Sequence, residues 1–197
     1  QEAARGAKQR GREPWAMKNS KQMISEKTLV ESCIKGNKKM QEQFYKIYKS
    51  KMFSICLRYA TNTTDAEDML QDGFMKAFSA LKNFRFEGSF EGWLRRIFVA
   101  SSVEFIRKAK IRRPLPLHEV PDHDYSISGL EKLQASEIIQ LIQSLPDKYR
   151  IVFNLFELEG YSHKEISHFL EIPEGTSKSQ LARAKRKLRE ALSQNLN

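Results

Sequence analysis

From Thr28 onward, apolar residues recur at intervals of three and four: Leu29, Val30, Cys33 and Ile34, then Phe44, Ile47, Tyr48, Met52, Phe53, Ile55, Cys56 and Tyr59. That period places each set on one side of a helix, and Gly36-Asn37 separates the two runs. A third helix is expected over 64–81, with Thr64 or Asp65 as N-cap and Ala66, Met69, Leu70, Gly73, Phe74, Ala77, Phe78 and Leu81 facing inward. A fourth is expected over 90–108. Between 110 and 129 the chain changes character: Pro114, Pro116 and Pro121 stand among scattered apolar residues, which reads as a tether. Periodicity returns at Leu130 and continues through Ile138, Ile139, Leu141, Ile142 and Leu145, breaks at Pro146, and resumes with Ile151, Val152, Leu155, Phe156 and Leu158. Strand alternation appears nowhere. The expected fold class is therefore all-α, with two small helical domains (23–109 and 130–197) joined by a flexible linker at 110–129, the second a helix-turn-helix. Residues 1–22 read as a disordered basic leader, with a remnant of upstream sequence before Met17 as the competing reading.

The second domain carries the sharpest local signal. Ser162 with Glu165 three residues later forms a capping box that starts a short helix, whose buried stripe is Ile166, Phe169 and Leu170. Glu171-Ile172 makes the turn, and Pro173 suits the first position of the next helix, where a missing N–H costs little. That helix carries Lys178, Arg183, Lys185, Arg186, Lys187 and Arg189 against Glu174 and Glu190. A short helix, a tight turn and a long basic helix with small polar residues near its start suit the major groove: early turns meet base edges while flanking cations hold phosphates. Thr176, Lys178, Ser179 and Gln180 are the candidates for base contact. A plain αα-hairpin with a solvated basic face is the competing reading.

Charge sharpens this. Among 197 residues, 34 Lys and Arg face 24 Asp and Glu, a net +10 that favours an anionic partner. No run approaches the roughly 20 apolar residues of a membrane span, and no apolar signal core follows the basic N-terminus. A cytoplasmic protein without membrane insertion is expected. Cys33 and Cys56 lack partners at metal-ligand spacing, so two reduced core thiols are expected and neither a disulfide framework nor a zinc site.

One stretch runs against the positive balance. Asp65, Asp68 and Asp72 stand at i, i+3 and i+7, on the helix face opposite the apolar one. Helical carboxylate metal sites usually recruit a His or a second helix's acids, and neither Glu-x-x-His nor His-Glu-x-x-His occurs. No metal and no cofactor are expected. A solvated face or a docking surface for a basic protein remains.

Asp68-Met69-Leu70-Gln71-Asp72-Gly73-Phe74, then Phe84-Arg85-Phe86-Glu87-Gly88-Ser89-Phe90-Glu91-Gly92-Trp93-Leu94-Arg95-Arg96-Ile97, then Leu145-Pro146-Asp147-Lys148-Tyr149-Arg150 and the helix-turn-helix stand in that order. Together they closely resemble bacterial RNA polymerase sigma factors of the extracytoplasmic-function (ECF) group, over about 23–192. The wording of residues 174–181 looks most like members from Bacteroidetes.

The resemblance implies a sigma factor that binds core RNA polymerase, directs it to promoters and assists promoter melting, with no catalytic residues of its own. Its first domain would correspond to sigma region 2 and its second to region 4. Asp65, Asp68, Gln71, Asp72 and Phe74 would dock on the clamp of the largest polymerase subunit. Lys82, Asn83, Phe84, Arg85 and Phe86 match the loop that captures a flipped base of the minus-ten element, and Arg95, Arg96 and Arg107 the minus-ten reading helix. Aromatic rings beside cations suit single-strand capture in any case, since stacking tolerates sequence and cations hold backbone. One of Phe84 and Phe86 is expected to be a core plug, and Trp93 and Leu94 are read as core. Thr176, Lys178, Ser179, Gln180, Arg183 and Lys187 would meet the minus-thirty-five element. Ser177 and Ala182 depart from the family's usual side chains there. The expected partners are core polymerase and promoter DNA, double- and single-stranded, with an anti-sigma factor as a further family partner; the chain is expected to be a monomer.

Two readings compete. A dimeric helix-turn-helix regulator would read a palindrome without polymerase. A magnesium-dependent nuclease would use Asp65, Asp68 and Asp72, and is disfavoured by the missing ligands.

Overall fold

The first three helices each begin where a side chain can satisfy free N–H groups. The structure, a computed structural model, describes residues 25–112 and 130–195, so the leader and most of the expected linker lie outside the described residues. Helix α1 (Glu26–Ile34) starts at Ser25, whose hydroxyl accepts from Thr28 N–H, and α2 (Lys38–Tyr59) at Asn37, which accepts from Lys39 and Met40. Between them Gly36 turns the chain at φ +77°, which a side chain would resist. Helix α3 (Thr63–Ala80) is capped by Asn62 rather than by the expected Thr64 or Asp65: Asn62 accepts from Asp65 N–H at 2.8 Å. A 3-10 turn (Leu81–Asn83) leads towards α4 (Phe90–Arg112).

After the undescribed segment come α5 (Leu130–Gln143) and α6 (Asp147–Phe153), which runs into a wide π turn at Asn154–Leu158. Helix α7 (His163–Leu170) and α8 (Glu174–Asn195) complete the chain. Glu171 takes the left-handed conformation at φ +57°, which turns the path between them. Pro173 stands just outside α8, where its carbonyl accepts from Thr176 and Ser177. A one-residue difference from expectation is ordinary at a helix end. Among the described residues there is no strand.

Burying a large apolar side chain contributes about 1.5–3 kcal/mol, against roughly 1 kcal/mol net for a hydrogen bond, so apolar faces decide which helices meet. Phe44, Met52, Met69, Phe74, Leu94 and Phe98 fill the space between α2, α3 and α4. Gly73 permits this approach: the Phe98 ring lies where a Cβ would stand, 2.4 Å from its ideal position. Ile34, Ile47 and Ile138 follow the apolar period but are exposed.

The two modules share a core. Ile151, Val152 and Leu155 belong to the same apolar cluster as Cys56, Tyr59 and the α3–α4 residues. Three side chains of the C-terminal module also cap α2. A helix leaves its last four carbonyls without intrahelical partners. Here Cys56 O accepts from Ala60 N–H, while Leu57, Arg58 and Tyr59 accept from Gln143 Nε2 (2.9 Å), Asn154 Nδ2 (2.7 Å) and Arg150 Nε (2.9 Å).

Candidate nucleic-acid and docking surfaces

The acidic face of α3 divides in two. Asp65 is tied into the cap, accepting from Thr61 Oγ1 at 2.9 Å and Asn62 Nδ2 at 3.0 Å, so its carboxylate serves the helix start. Asp68, Gln71 and Asp72 are exposed one and two turns further on. Phe74 is not on that surface. Its ring is buried, edge-on to Phe98 at 5.1 Å and beside Tyr45 at 4.6 Å. It forms the floor of an open groove of about 500 Å³ between α2 and α3, rimmed by Tyr45, Lys49, Gln71 and Met75. Met75 is 62% exposed. Tyr45 and Met75 were missed in the sequence because each falls outside its helix's inward stripe, where apolar side chains otherwise carry no signal.

Before α4, the loop separates its two phenylalanines. Phe84 is 8% exposed and packs edge-on to Phe90 at 5.0 Å, so it is the core plug. Phe86 is 39% exposed at φ +57°, a conformation that non-glycine residues adopt at a cost and that turns its ring outward. Its edge meets Phe84 at 5.0 Å, and Lys27 Nζ stands 5.8 Å above its ring. Lys82, Asn83 and Arg85 are exposed around it. Leu94 is core as expected, whereas Trp93 is only half-buried and stacks on Phe90 at 5.4 Å.

The arginines of α4 have different surroundings. Arg96 is exposed. Arg95 pairs through Nε with Glu159 and donates from Nη2 to Leu158 O at 2.8 Å. That carboxylate raises its pKa above the ordinary arginine value, more than partial burial lowers it. Arg107 donates to Phe169 O at 3.3 Å. Glu159 also receives Arg58 Nη2 at 3.1 Å, and its side chain is 3% exposed. The π turn delivers this acid: Glu159 N–H closes on Asn154 O, five residues back, which widens the helix end towards α4.

In the helix-turn-helix the expected box is formed: Ser162 N–H donates to Glu165 Oε2 at 2.8 Å, and Glu165 N–H to Ser162 Oγ at 3.2 Å. The Ser162 hydroxyl, donating to Glu165 Oε2 at 2.6 Å, and the Ser162 N–H hold the Glu165 carboxyl below its ordinary pKa. His163 stacks on Phe156 at 4.4 Å and shares a 2.9 Å hydrogen bond through Nδ1 with Ser177 Oγ. Ser177 is buried, so it fixes α8 against α7 and does not reach outward. Lys178, Ser179, Arg183 and Lys187 are exposed, and Thr176 and Gln180 half-buried. Lys178 pairs with Glu174 at 2.8 Å, Ser179 donates to Thr176 O at 3.0 Å, and Arg183 reaches Tyr149 Oη at 3.5 Å. An exposed basic face near the start of a helix docked on a short neighbouring helix has a shape and charge that suit a duplex groove.

Among the described residues no three His, Cys, Asp or Glu side chains are grouped to hold a metal ion, and no helix is long and apolar enough to cross a membrane.

Comparison with known proteins gives two family matches: Sigma-70 region 2 over residues 44–111 and Sigma-70, region 4 over residues 135–188. The chain is 32% identical over 179 residues to the ECF RNA polymerase sigma-E factor of Escherichia coli strain K12, covering 83% of this chain and 92% of that protein. It is 29% identical over 179 residues to the RNA polymerase sigma-H factor of Pseudomonas aeruginosa, with the same coverages. Among solved structures, the sigma factor RpoE of Bartonella quintana, crystallised with the anti-sigma factor NepR, matches at a TM-score of 0.53 and 20% identity. That match covers 77% of this chain and 96% of the other, and supports the fold.

Proposed function

Because the chain belongs to the ECF sigma factors of bacterial RNA polymerase, we propose that it binds core polymerase, directs it to promoters and assists their melting through the surfaces described above. The observation that carries the residue assignments is the presence, on one chain, of an acidic helix face and two basic, DNA-suited ones. Asp68, Gln71 and Asp72, with the groove floored by Phe74, form the docking surface for the clamp of the largest subunit. Asp65 supports it by starting α3. The second module, with Thr176, Lys178, Ser179, Gln180, Arg183 and Lys187 towards the groove, reads the minus-thirty-five element, while 23–109 serves polymerase and the minus-ten element.

Melting needs no covalent step. A surface that holds an unstacked base more tightly than a stacked one shifts the equilibrium towards open DNA. Phe86 supplies the stacking face; Lys82, Asn83 and Arg85 hold the backbone around it, with Arg95, Arg96 and Arg107 along α4. Sigma factors act without catalytic chemistry of their own, and the chain is assigned the same non-enzymatic role in the cytoplasm, as a monomer. Residues 110–129, most of them outside the described residues, are assigned as the tether between the modules. An anti-sigma factor belongs among the proposed partners, since the Bartonella relative was crystallised with one. A Bacteroidetes affinity rests on residues 174–181 alone. The dimeric-regulator reading has no support from either family match.

Run-off transcription with core polymerase and genomic DNA tests the reading. Discrete transcripts that need both components are expected; transcription unchanged by the protein, with protection of a palindromic duplex by the protein alone, would overturn it.

A further inference from the structure

We propose that Lys27, on α1, is a DNA-holding residue of the minus-ten capture site: its ammonium covers the Phe86 ring in the free protein and passes to a backbone phosphate when an unstacked base takes its place on that ring. The inference rests on the assignment of Phe86 to base capture and adds to that site a residue from outside the loop.

The geometry puts the cation within reach. Lys27 Nζ stands 5.8 Å from the centroid of the Phe86 ring, inside the range of a cation–π contact. That ring is exposed apart from its contact with Phe84 at 5.0 Å, so the ammonium covers a face that is otherwise open. Helix α1 packs against the 3-10 turn at Leu81–Asn83 that leads into the loop, and Ser25 fixes where α1 starts. The Lys27 backbone is therefore held beside the loop while its side chain stays exposed. Lys82 and Arg85 belong to the loop itself; Lys27 comes to it from a separate helix.

The stability of α1 does not account for this cation. Lys27 is the second residue of the helix, where the dipole disfavours positive charge. Its ion pair with Glu31 spans 3.9 Å between exposed groups and runs in the less favourable order, with the cation nearer the helix start. Folding therefore leaves the charge available. An ammonium over a ring is also exchangeable, because it ends a flexible four-carbon stem and carries three donors. A base that stacks on Phe86 takes the face the ammonium covers, and it brings the phosphates of its own nucleotide, which hold a cation more strongly than a ring does. Exchange of ring for phosphate keeps Lys27 engaged before and after capture.

The test uses holoenzyme assembled from the full chain and core polymerase, with a fork DNA whose single-stranded part carries the minus-ten segment of a promoter mapped by run-off transcription. Fork affinity is measured across a salt series for the wild type, Lys27→Ala, Lys27→Arg, Lys35→Ala and Phe86→Ala. Losing one phosphate contact on a single strand reduces the slope of log K against log salt by about 0.7, so Lys27→Ala should bind about fivefold more weakly at roughly 0.1 M salt, with the gap closing towards about 1 M. Lys27→Arg should keep the wild-type slope. Lys35, exposed just past the far end of α1, is the control, and Lys35→Ala should match the wild type. Phe86→Ala should weaken binding at every salt concentration without changing the slope. The thermal midpoint of Lys27→Ala should hold or rise, because a first-turn cation is removed. An unchanged slope in Lys27→Ala, or an equal loss in Lys35→Ala, would overturn the inference; a lowered midpoint would assign Lys27 to the fold and overturn it as well. Full fork affinity in both Lys27→Ala and Phe86→Ala would instead overturn the assignment of the loop to base capture beneath it.

Discussion

The buried guanidinium of Arg150 donates through Nε to the main-chain carbonyl of Tyr59 at 2.9 Å, so a side chain of one module closes the C-terminus of a helix in the other. Only 2% of the residue is exposed. Nη1 serves Gln143 O and Leu145 O, and Nη2 pairs with Asp147 at 2.5 Å. A cation at the negative end of α2 is favourable twice, by hydrogen bonding and by the helix dipole.

Replacing Arg150 by Ala leaves buried carbonyls unpaired, and a loss of about 3 kcal/mol or more is expected. Lys cannot reproduce the planar fork and should recover only part of it. Chemical denaturation of the three proteins checks the order wild type, Lys, Ala; a Lys variant equal to wild type would contradict it.

Gly73→Ala should destabilise although Ala is the better helix former. Propensity favours Ala by about 1 kcal/mol, but the new Cβ meets the ring of Phe98, itself buried and held edge-on by Phe74. Overpacking of about 1–3 kcal/mol outweighs the gain. A lowered thermal midpoint measures it, and restoration by Phe98→Leu in the double variant would locate the clash.

Both thiols should be inert in the folded protein. Burial pushes Cys33 up to about 11 and Cys56 to about 12 from an ordinary 9.0. The fold therefore retains protons that the unfolded chain releases: this contribution is fully present below pH 9 and lost as pH rises through the folded values. Alkylation at pH 8 should be slow until denaturant is added, and rapid labelling of the native protein would contradict the burial.

Phe84 and Phe86 should separate stability from function. Phe84→Ala empties a core site and should cost about 3–5 kcal/mol. Phe86→Ala removes an exposed ring, so folding should hold while open-complex formation falls by the roughly 1–3 kcal/mol of one stacked base. Thermal melts and permanganate footprinting on one promoter read the two effects; equal stability losses would merge the roles.

The opposite surfaces should fail independently. Asp72→Arg should weaken core-polymerase binding through like-charge contact and leave upstream-duplex binding intact, while Lys178→Ala and Arg183→Ala should do the reverse. Loss of both activities in any one variant would break the division.

Much of this protein is written locally. The helices follow from apolar period, the Ser162–Glu165 box from two residues three apart, and the turn after α7 from Glu171-Ile172 ahead of Pro173; each depends on neighbours within a few positions, so the chain alone determines it. The charge separation is equally legible, because Asp68 and Asp72 on one helix and Lys178 to Arg189 on another need no tertiary contact to be counted. Other features depend on more than the apolar period. Asn62 rather than Thr64 or Asp65 starts α3, and Phe84 rather than Phe86 is buried, because the path into and out of the helix fixes which side chain can reach back. Ile34, Ile47 and Ile138 keep the period yet face solvent, since no helix among the described residues covers that side. Above all, Arg95 and Glu159 stand 64 positions apart, and nothing near either predicts their pairing. Charge and helix were properties of the sequence; which cation is held, and by which acid, was decided only when two distant segments packed together.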